Sequence, residues 1–192
     1  MALEIDHIVV GAETLAEGEA FLSDLLGAPA ESGGKHALMG THNRLWRLCP
    51  REYIELIAID READAPPHPR WFGLDTFQGP PRLIAWVCRM NRLAAPTGSR
   101  ITKAARGDLS WRITIPDSGI SDCGGLDPLR IDWGEGGHPT DSMPDRGLRL
   151  LRLDLSHPKP PRLDLKDPRL AIAKGNPGLK AHISTMNGKV TL

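Results

Sequence analysis

The sequence predicts an α+β fold in which short, mainly antiparallel strands outnumber the helices. The first 60 residues show the order strand, helix and then three further strands, each indicated by its own hydrophobic period. Strand-like segments continue through the second half with few helical interruptions. The 192 residues include 20 Gly and 17 Pro, which require short elements and many turns. Together these features indicate the α+β class.

The first half opens with a strand predicted at residues 3–10. Both of its faces are partly apolar, so we expect the strand to be covered on both sides. A helix is predicted at 14–26, because Thr14 and Glu17 have the spacing of a capping box and Gly27 is suited to end a helix. Three further strands are predicted at 36–39, 42–48 and 52–59, the last being rich in β-forming residues.

The second half begins with a crossover loop and continues with short strands. Five prolines between residues 60 and 81 predict the loop. A helix is predicted near 162–173 with Asp167 as its N-cap, and Asn187-Gly188 between two alternating segments predicts a terminal hairpin. The strands of this half are predicted at 83–90, 110–115, 129–133, 148–155, 180–186 and 189–192.

The charge balance and the cysteine pattern exclude several classes of protein. With 24 Lys+Arg against 24 Asp+Glu the net charge is zero, which argues against a nucleic-acid binder that relies on neutralising phosphates. No apolar run approaches the about 18 residues of a membrane helix, and the N-terminus lacks the basic start of a signal peptide. The widely spaced Cys49, Cys88 and Cys123 are typical of a reduced cytosol. We therefore expect a cytoplasmic protein with neither nucleic-acid nor membrane partners.

His7 and Glu55 form the strongest candidate pair for chemistry. Each lies in the middle of a predicted strand among apolar neighbours, where an unpaired carboxylate is costly to bury. An imidazole and a carboxylate that face one cavity make a half-site for a divalent metal. The alternatives are a buried hydrogen bond between the two, or an ion pair of Glu55 with Arg47 or Arg152. Motifs of P-loop, Rossmann, α/β-hydrolase and zincin proteins are absent from the sequence.

Other polar and aromatic residues allow both a functional and a structural interpretation. His42, at the start of a strand beside Asn43, is either a proton donor and acceptor for a substrate or a partner of backbone groups. Trp71 and Phe72 either line a ligand cavity or pack a long loop onto the core.

Two more groups of residues, in the second half of the chain, also allow both a functional and a structural interpretation. Trp133 and His138 flank a glycine-rich turn and could reach a pocket from it. Arg152 shares a face with Asp154, so it either forms a solvated ion pair or anchors a substrate carboxylate.

Several short motifs resemble the vicinal oxygen chelate superfamily, and the resemblance covers nearly the whole chain. The superfamily includes glyoxalase I, extradiol dioxygenases and fosfomycin- and bleomycin-resistance proteins. The segments that carry the general resemblance are Asp6-His7-Ile8-Val9-Val10, the helix ending in Leu26-Gly27, and Tyr53-Ile54-Glu55-Leu56-Ile57. Those that are similar to its glyoxalase-like branch are Gly40-Thr41-His42-Asn43, Pro69-Arg70-Trp71-Phe72-Gly73-Leu74, Ile131-Asp132-Trp133-Gly134 and His138-Pro139.

The resemblance implies paired βαβββ modules whose curled sheets enclose a central cavity. The first module would span residues 1–60, a linker 61–81, and a second, rearranged module 82–192, all in one compact body. Metal ligands in this superfamily come from the first and last strands of each module, which implies His7 and Glu55. Leu83 stands where a second His is expected, and Asp154 in Leu153-Asp154-Leu155 parallels Glu55 in the first module.

The function implied is metal-assisted lyase, isomerase or dioxygenase chemistry on a small oxygenated metabolite. The metal would be Zn, Ni, Mn or Fe, held by His7, Glu55 and Asp154, with His42 as the catalytic residue. The alternative is a metal-free protein of the same fold that binds or sequesters a small ligand, and a weaker one is a purely structural dimer. The resemblance also allows a homodimer. The expected pocket residues are Asn43, Trp71, Phe72, Trp133, His138 and Arg152.

Overall fold

The computed structural model describes residues 3–192, which form two β-sheets and one substantial helix. The strands are β1 (Glu4–Gly11), β2 (Glu31–His36), β3 (Thr41–Cys49), β4 (Glu52–Ile59), β5 (Arg82–Arg89), β6 (Ser99–Arg106), β7 (Leu109–Pro116), β8 (Leu129–Asp132), β9 (Arg149–His157), β10 (Leu170–Lys174), β11 (Gly178–Thr185) and β12 (Gly188–Thr191). The helices are α1 (Leu15–Leu26) and the four-residue α2 (Asp122–Gly125), with 3-10 turns at Trp71–Thr76 and Pro139–Asp141.

The larger sheet consists of two four-stranded units joined side by side. Its strand order is β2-β3-β4-β1-β5-β8-β7-β6. Within each unit the first and last strands run parallel, β1 with β4 and β5 with β8, while β1 and β5 pair antiparallel at the junction. The edge strands β2 and β6 approach each other, so the sheet curls into a half-barrel with an inner and an outer face. The predicted α+β class and curled sheet are confirmed.

The outer face is covered by α1 and by the second sheet, whose order is β10-β9-β11-β12. Leu22 and Leu26 of α1 pack in one apolar core with Leu153 and Ile183 of the second sheet. The inner face has its own core, which includes Tyr53 and four other aromatic or large apolar groups from loops and strands. These are Trp71, Leu74, Trp111 and Trp133.

The helix α1 has the termini that the sequence predicts. The hydroxyl of Thr14 accepts a hydrogen bond from the backbone N–H of Glu17 at 3.2 Å, and Gly27 ends the helix with the left-handed φ of 64°. None of the helices within residues 3–192 is long and apolar enough to cross a membrane.

Gly18 allows α1 to approach the sheet closely. A Cβ atom at this position would lie 2.4 Å from Cδ1 of Leu56 and 2.8 Å from Cβ of Ala12. We therefore expect Gly18→Ala to lower the free energy of unfolding by about 1–3 kcal/mol, although alanine is the better helix former. Chemical denaturation measures the change, and Ser23→Ala on the half-exposed side of the same helix controls for helix propensity. A Gly18→Ala protein as stable as the wild type would contradict the close approach.

In the second half one secondary-structure prediction is wrong, and one strand is missing from the prediction. The helix predicted near 162–173 is absent. Residues 170–174 instead form β10, which pairs parallel with β9, and prolines at 160, 161 and 168 oppose a continuous helix. The strand β6 was not predicted, because its sequence Ser-Arg-Ile-Thr-Lys-Ala-Ala-Arg is mostly polar and lies at a sheet edge.

A β-bulge in β1 changes the faces of its side chains. Simple alternation predicts that Ile5, His7 and Val9 share one face, but Ile5 packs in the outer core and Val9 in the inner one. The pairing with β5 shifts between Ile5 and His7, as expected for a bulge with one extra residue. As a result, Asp6 and His7 both direct their side chains to the inner face.

Candidate functional site

His7 and Glu55 face each other at the centre of the inner face. They project from the adjacent parallel strands β1 and β4, and their side chains are 3% and 8% exposed. The distance from His7 Nε2 to Glu55 Oε2 is 3.5 Å. This is longer than a charge-assisted hydrogen bond of about 2.7–2.9 Å, so the two atoms leave a narrow gap between them.

Asp6 and Tyr53 fix the orientation of the His7 ring. Since a carboxylate only accepts hydrogen bonds, the Nδ1–H of His7 donates to Asp6 Oδ1, at 2.7 Å. The Tyr53 ring stacks on the imidazole with centroids 4.5 Å apart. Burial lowers the pKa of His7, but its contacts with Asp6 and Glu55 outweigh this effect and raise the pKa to about 9.

Asn43 holds the other side of the Glu55 carboxylate. Its Nδ2 donates to Glu55 Oε1 at 2.6 Å, which leaves Oε2 directed to His7. Burial raises the pKa of Glu55, but the contacts with His7, His36 and Asn43 dominate and lower it to about 2. Glu55 is therefore ionised at neutral pH.

Asp6 is a buried hub that links His7 to the second half of the chain. Its Oδ2 accepts from Trp133 Nε1 at 3.0 Å and from Arg89 at 3.1 Å, and lies 3.4 Å from His138 Nε2. Burial opposes ionisation, but the contacts with His138 and His7 keep the pKa of Asp6 well below its usual range. The carboxylate is thus charged while fully buried.

A small aromatic cavity of about 20 Å³ lies above the His7 and Glu55 side chains. This volume holds about one water molecule or ion. Trp71 lines the cavity, and its buried Nε1 atom makes no hydrogen bond to any residue from 3 to 192. The lining residues are His7, His36, Tyr53, Glu55, Trp71, Phe72, Arg106, Trp111, Ile113, Ile131 and Trp133.

Arg106 and His36 complete the polar side of the cavity. Arg106 Nη1 donates to Asn43 Oδ1 at 3.0 Å, and the backbone N–H of Gly34 donates to the same oxygen at 2.9 Å. Burial is the main cause that lowers the pKa of His36 to about 4, so its ring is neutral at physiological pH.

The structure brings most of the predicted pocket residues together. His7, Glu55, Trp71, Phe72 and Trp133 line the same cavity. Asn43 donates a hydrogen bond to Glu55, and His138 contacts Asp6, which in turn contacts His7.

The structure does not place His42 at this site. His42 alternates with Asn43 along β3, and its side chain faces a separate cleft of about 570 Å³ beside the N-terminus of α1. Lys35, Arg44 and Asp60 share that cleft with it. A catalytic role for His42 together with His7 and Glu55 is therefore inconsistent with the fold.

Asp154 and Arg152 also lie elsewhere. They are on β9 in the second sheet, where Arg152 Nε donates to Asp154 Oδ1 at 2.6 Å and His182 contacts Oδ2 at 2.8 Å. The neighbouring Leu153 and Leu155 enter the outer core, so the Asp154 side chain points away from it. This placement excludes Asp154 as a third ligand beside His7 and Glu55, and Arg152 from the cavity.

Several site residues were not found by sequence reasoning. Asp6 was missed because the bulge is invisible in the hydrophobic pattern, and Arg106 because β6 was not predicted. Tyr53 could have been found, since it shares the face of Glu55 along β4. His36 and Trp111 carried no signal that distinguished them from core residues.

His7 and Glu55 suit a divalent cation in their chemistry. A neutral His7 that donates from Nδ1 presents a lone pair at Nε2, and the ionised Glu55 presents another at Oε2. These two acceptors face each other at 3.5 Å, an arrangement that a proton or a cation between them would stabilise. Two ligands at about 2.1 Å from one tetrahedral ion would be about 3.4 Å apart. Asp6 and Asn43 supply the outer hydrogen bonds that usually orient metal ligands.

The pair is nevertheless only half of a metal site. Between residues 3 and 192 no group of three His, Cys, Asp or Glu side chains could hold an ion. In the second unit, the inner-face positions of β5 and β8 carry Ala85, Val87, Leu129 and Ile131. Solvent or substrate would have to complete the coordination of a cation bound by His7 and Glu55.

A curled sheet of two four-stranded units, with a histidine and a glutamate at the centre of its inner face, defines the vicinal oxygen chelate class. The predicted superfamily is confirmed by a family model described as a glyoxalase-like domain, which matches residues 5–169. The chain belongs to this glyoxalase-like family. No curated protein matches the sequence.

Solved structures show similar folds at low sequence identity. A hypothetical protein from Staphylococcus aureus is 16% identical with a TM-score of 0.57, over 81% of this chain and 70% of that one. Methylmalonyl-CoA epimerase from Mycobacterium tuberculosis is 20% identical with a TM-score of 0.48, over 70% of this chain and 89% of that one. A Streptomyces coelicolor methylmalonyl-CoA epimerase variant in complex with 2-nitronate-propionyl-CoA is 17% identical with a TM-score of 0.49, over 69% of this chain and 98% of that one. The likeness to the Staphylococcus protein concerns the fold alone.

Proposed function

We propose that this glyoxalase-like protein acts on a small, oxygen-bearing molecule at the inner face, where His7 and Glu55 hold a divalent cation. One observation carries the proposal. The Nε2 atom of His7 and the Oε2 atom of Glu55 face each other at 3.5 Å, each held in place by a second partner. A bound cation would supply Lewis acidity that polarises the oxygen atoms of a substrate.

The surrounding residues prepare the two ligand atoms for this role. Asp6 keeps the Nδ1–H of His7 occupied, so that Nε2 is the nitrogen available to the cavity. Asn43 occupies Oε1 of Glu55 and leaves Oε2 available. The rings of Trp71, Trp111 and Trp133 surround the cavity with apolar surface, which strengthens electrostatic interactions within it.

The narrow cavity must widen before a substrate can enter. Its volume of about 20 Å³ is far below that of an ordinary ligand pocket, which is about 300–1,000 Å³. Phe72 lies at the cavity wall and is half-buried, and the 3-10 turn that carries it lies within the long loop between β4 and β5. Movement of this turn would open the cavity toward solvent.

A metal-free binding protein is the second candidate. The apolar residues at the inner-face positions of β5 and β8 favour it, since they provide no further ligands. In this case a proton lies between His7 and Glu55, and the aromatic walls hold a metabolite without turning it over.

Metal content separates the two candidates. We expect protein purified without chelator, and reloaded with Ni, Mn, Fe or Zn, to hold about one equivalent of a divalent ion. Glu55→Gln should lose it, because the amide presents a neutral and weaker ligand. Glu62→Gln makes the same chemical change at a position that is 86% exposed and should keep the ion.

Elemental analysis by mass spectrometry gives the stoichiometry of all three proteins. Absence of an ion from the wild type after loading with each of the four metals would overturn the cation proposal. Equal metal content in the wild type and Glu55→Gln would also contradict it, since the ion would then lie elsewhere.

A further inference from the structure

Arg106 brings a positive charge to the cavity, and the described part of the chain holds no carboxylate within salt-bridge distance of it. Its side chain extends from the end of β6 and lies over Gly34 on β2, where a Cβ atom would be 2.6 Å from Arg106 Cδ. Of its five N–H groups, one donates to Asn43 Oδ1. Across residues 3–192, Arg106 forms no salt bridge within 4.0 Å. The absence of a side chain at Gly34 thus leaves room for Arg106 to reach the cavity. Most N–H groups of its guanidinium donate no hydrogen bond to the described residues.

Trp71 adds a second unused donor on the same cavity. Its side chain is 2% exposed, and its Nε1 atom has no hydrogen-bond partner among the described residues. A buried N–H without an acceptor is unfavourable in a folded protein, and such groups are rare. An acceptor from a bound molecule would satisfy it.

The carboxylates near the cavity have partners of their own. Asp6 contacts His7 and Arg89, and Arg89 also pairs with Glu4. Glu55 faces His7 and accepts a hydrogen bond from Asn43. Arg106 reaches Glu55 through the Asn43 side chain, so its guanidinium has no directly bonded counterion in the described part of the chain.

We propose that the molecule bound in this cavity carries a carboxylate, which accepts hydrogen bonds from Arg106 and from Trp71 Nε1. This inference rests on the proposed small-molecule site and names the class of its ligand. Arg106 and Trp71 line the same cavity, and a guanidinium can donate two parallel hydrogen bonds to the two oxygens of a planar carboxylate. The body of the ligand extends past Phe72 to solvent.

Matched pairs of ligands test the proposal. Benzoate and phenylglyoxylate are titrated against their amides, with inorganic phosphate as a third probe, by calorimetry. We expect the carboxylates to bind at least about tenfold more tightly than the amides. In Arg106→Gln, which keeps a donor for Asn43, this preference should shrink to less than about twofold. Trp71→Phe keeps an aromatic ring and removes the N–H. In this variant the preference for carboxylates should fall, but by less than in Arg106→Gln.

Arg100→Gln is the control variant. It removes the same charge from the same strand, where Arg100 pairs with Asp117 at the far end from the cavity, and should keep the full preference. The proposal is overturned if no carboxylate binds, if the amides bind equally well, if phosphate is preferred, or if Arg106→Gln keeps the preference.

The titrations are performed on chelated and on metal-loaded protein, so the two proposals fail separately. A carboxylate preference that depends on Arg106 in protein without metal supports this inference even if the cation proposal fails. A metal bound by His7 and Glu55 without any such preference supports the cation proposal and overturns this inference.

Discussion

Asp6→Asn is expected to lower the free energy of unfolding by about 3–5 kcal/mol, the usual cost of removing one partner from a buried ion pair. Asp6 is completely buried and contacts Arg89, His7 and Trp133. The amide keeps one acceptor oxygen, but it leaves Arg89 and a protonated His7 without their shared negative charge. The NH2 group of the new asparagine would also face one of the N–H groups that donate to Asp6 in the wild type. Urea denaturation of the wild type and the variant at the same pH measures the difference.

Asp117→Asn makes the same change at an exposed ion pair. The Asp117 side chain is 68% exposed and lies 3.3 Å from Arg100. Because exposed pairs contribute little, we expect a change below about 1 kcal/mol. If the two variants had similar stabilities, Asp6 would not be the hub that the geometry indicates.

The His7 and Glu55 pair could be predicted because its information is local. The β4 strand is regular, so alternation places Glu55 with Tyr53 and Ile57 on the inner face. A histidine and a carboxylate in apolar strands are rare enough to stand out. Their distance and their partners depend on strand pairing, which one sequence does not specify.

Asp6 shows why half of the site stayed hidden. A single extra residue in β1 turns two successive side chains to the same face. Nothing in the composition of Ile5-Asp6-His7 distinguishes a bulged strand from a regular one. Arg106 was hidden for a different reason, since an exposed edge strand has too few apolar residues to show a period.

The sequence predicts that Asp154 belongs to the site, because Leu153-Asp154-Leu155 has the same local pattern as Ile54-Glu55-Leu56. The pattern does identify a strand, but it does not identify the sheet. The last strand of the second unit is β8, which pairs with β5, whereas β9 pairs with β10 and β11. Long-range pairing therefore decides which carboxylate reaches the cavity.

The stability of the metal-free protein should decline at alkaline pH because of His7. Its pKa is about 9 in the folded protein, against 6.5 for an ordinary histidine. A raised pKa contributes stability that is complete below pH 6.5 and is lost as the pH rises through 9. Glu55 acts in the opposite range, since its lowered pKa gives stability that is complete above 4.5 and lost as the pH falls through 2. The pair therefore contributes its full stabilisation of the fold between about pH 4.5 and pH 6.5.

Comparison with His7→Gln isolates this contribution from the other titrating groups. His36, whose burial lowers its pKa to about 4, makes folding less favourable below pH 6.5 and so changes stability in the opposite direction to His7. We expect the wild type to lose on the order of 2–3 kcal/mol more than His7→Gln between pH 6 and pH 10. Urea denaturation of the chelated proteins across this range measures both curves. Parallel curves would mean that no proton lies between His7 and Glu55, and that their 3.5 Å gap is held open by the fold alone.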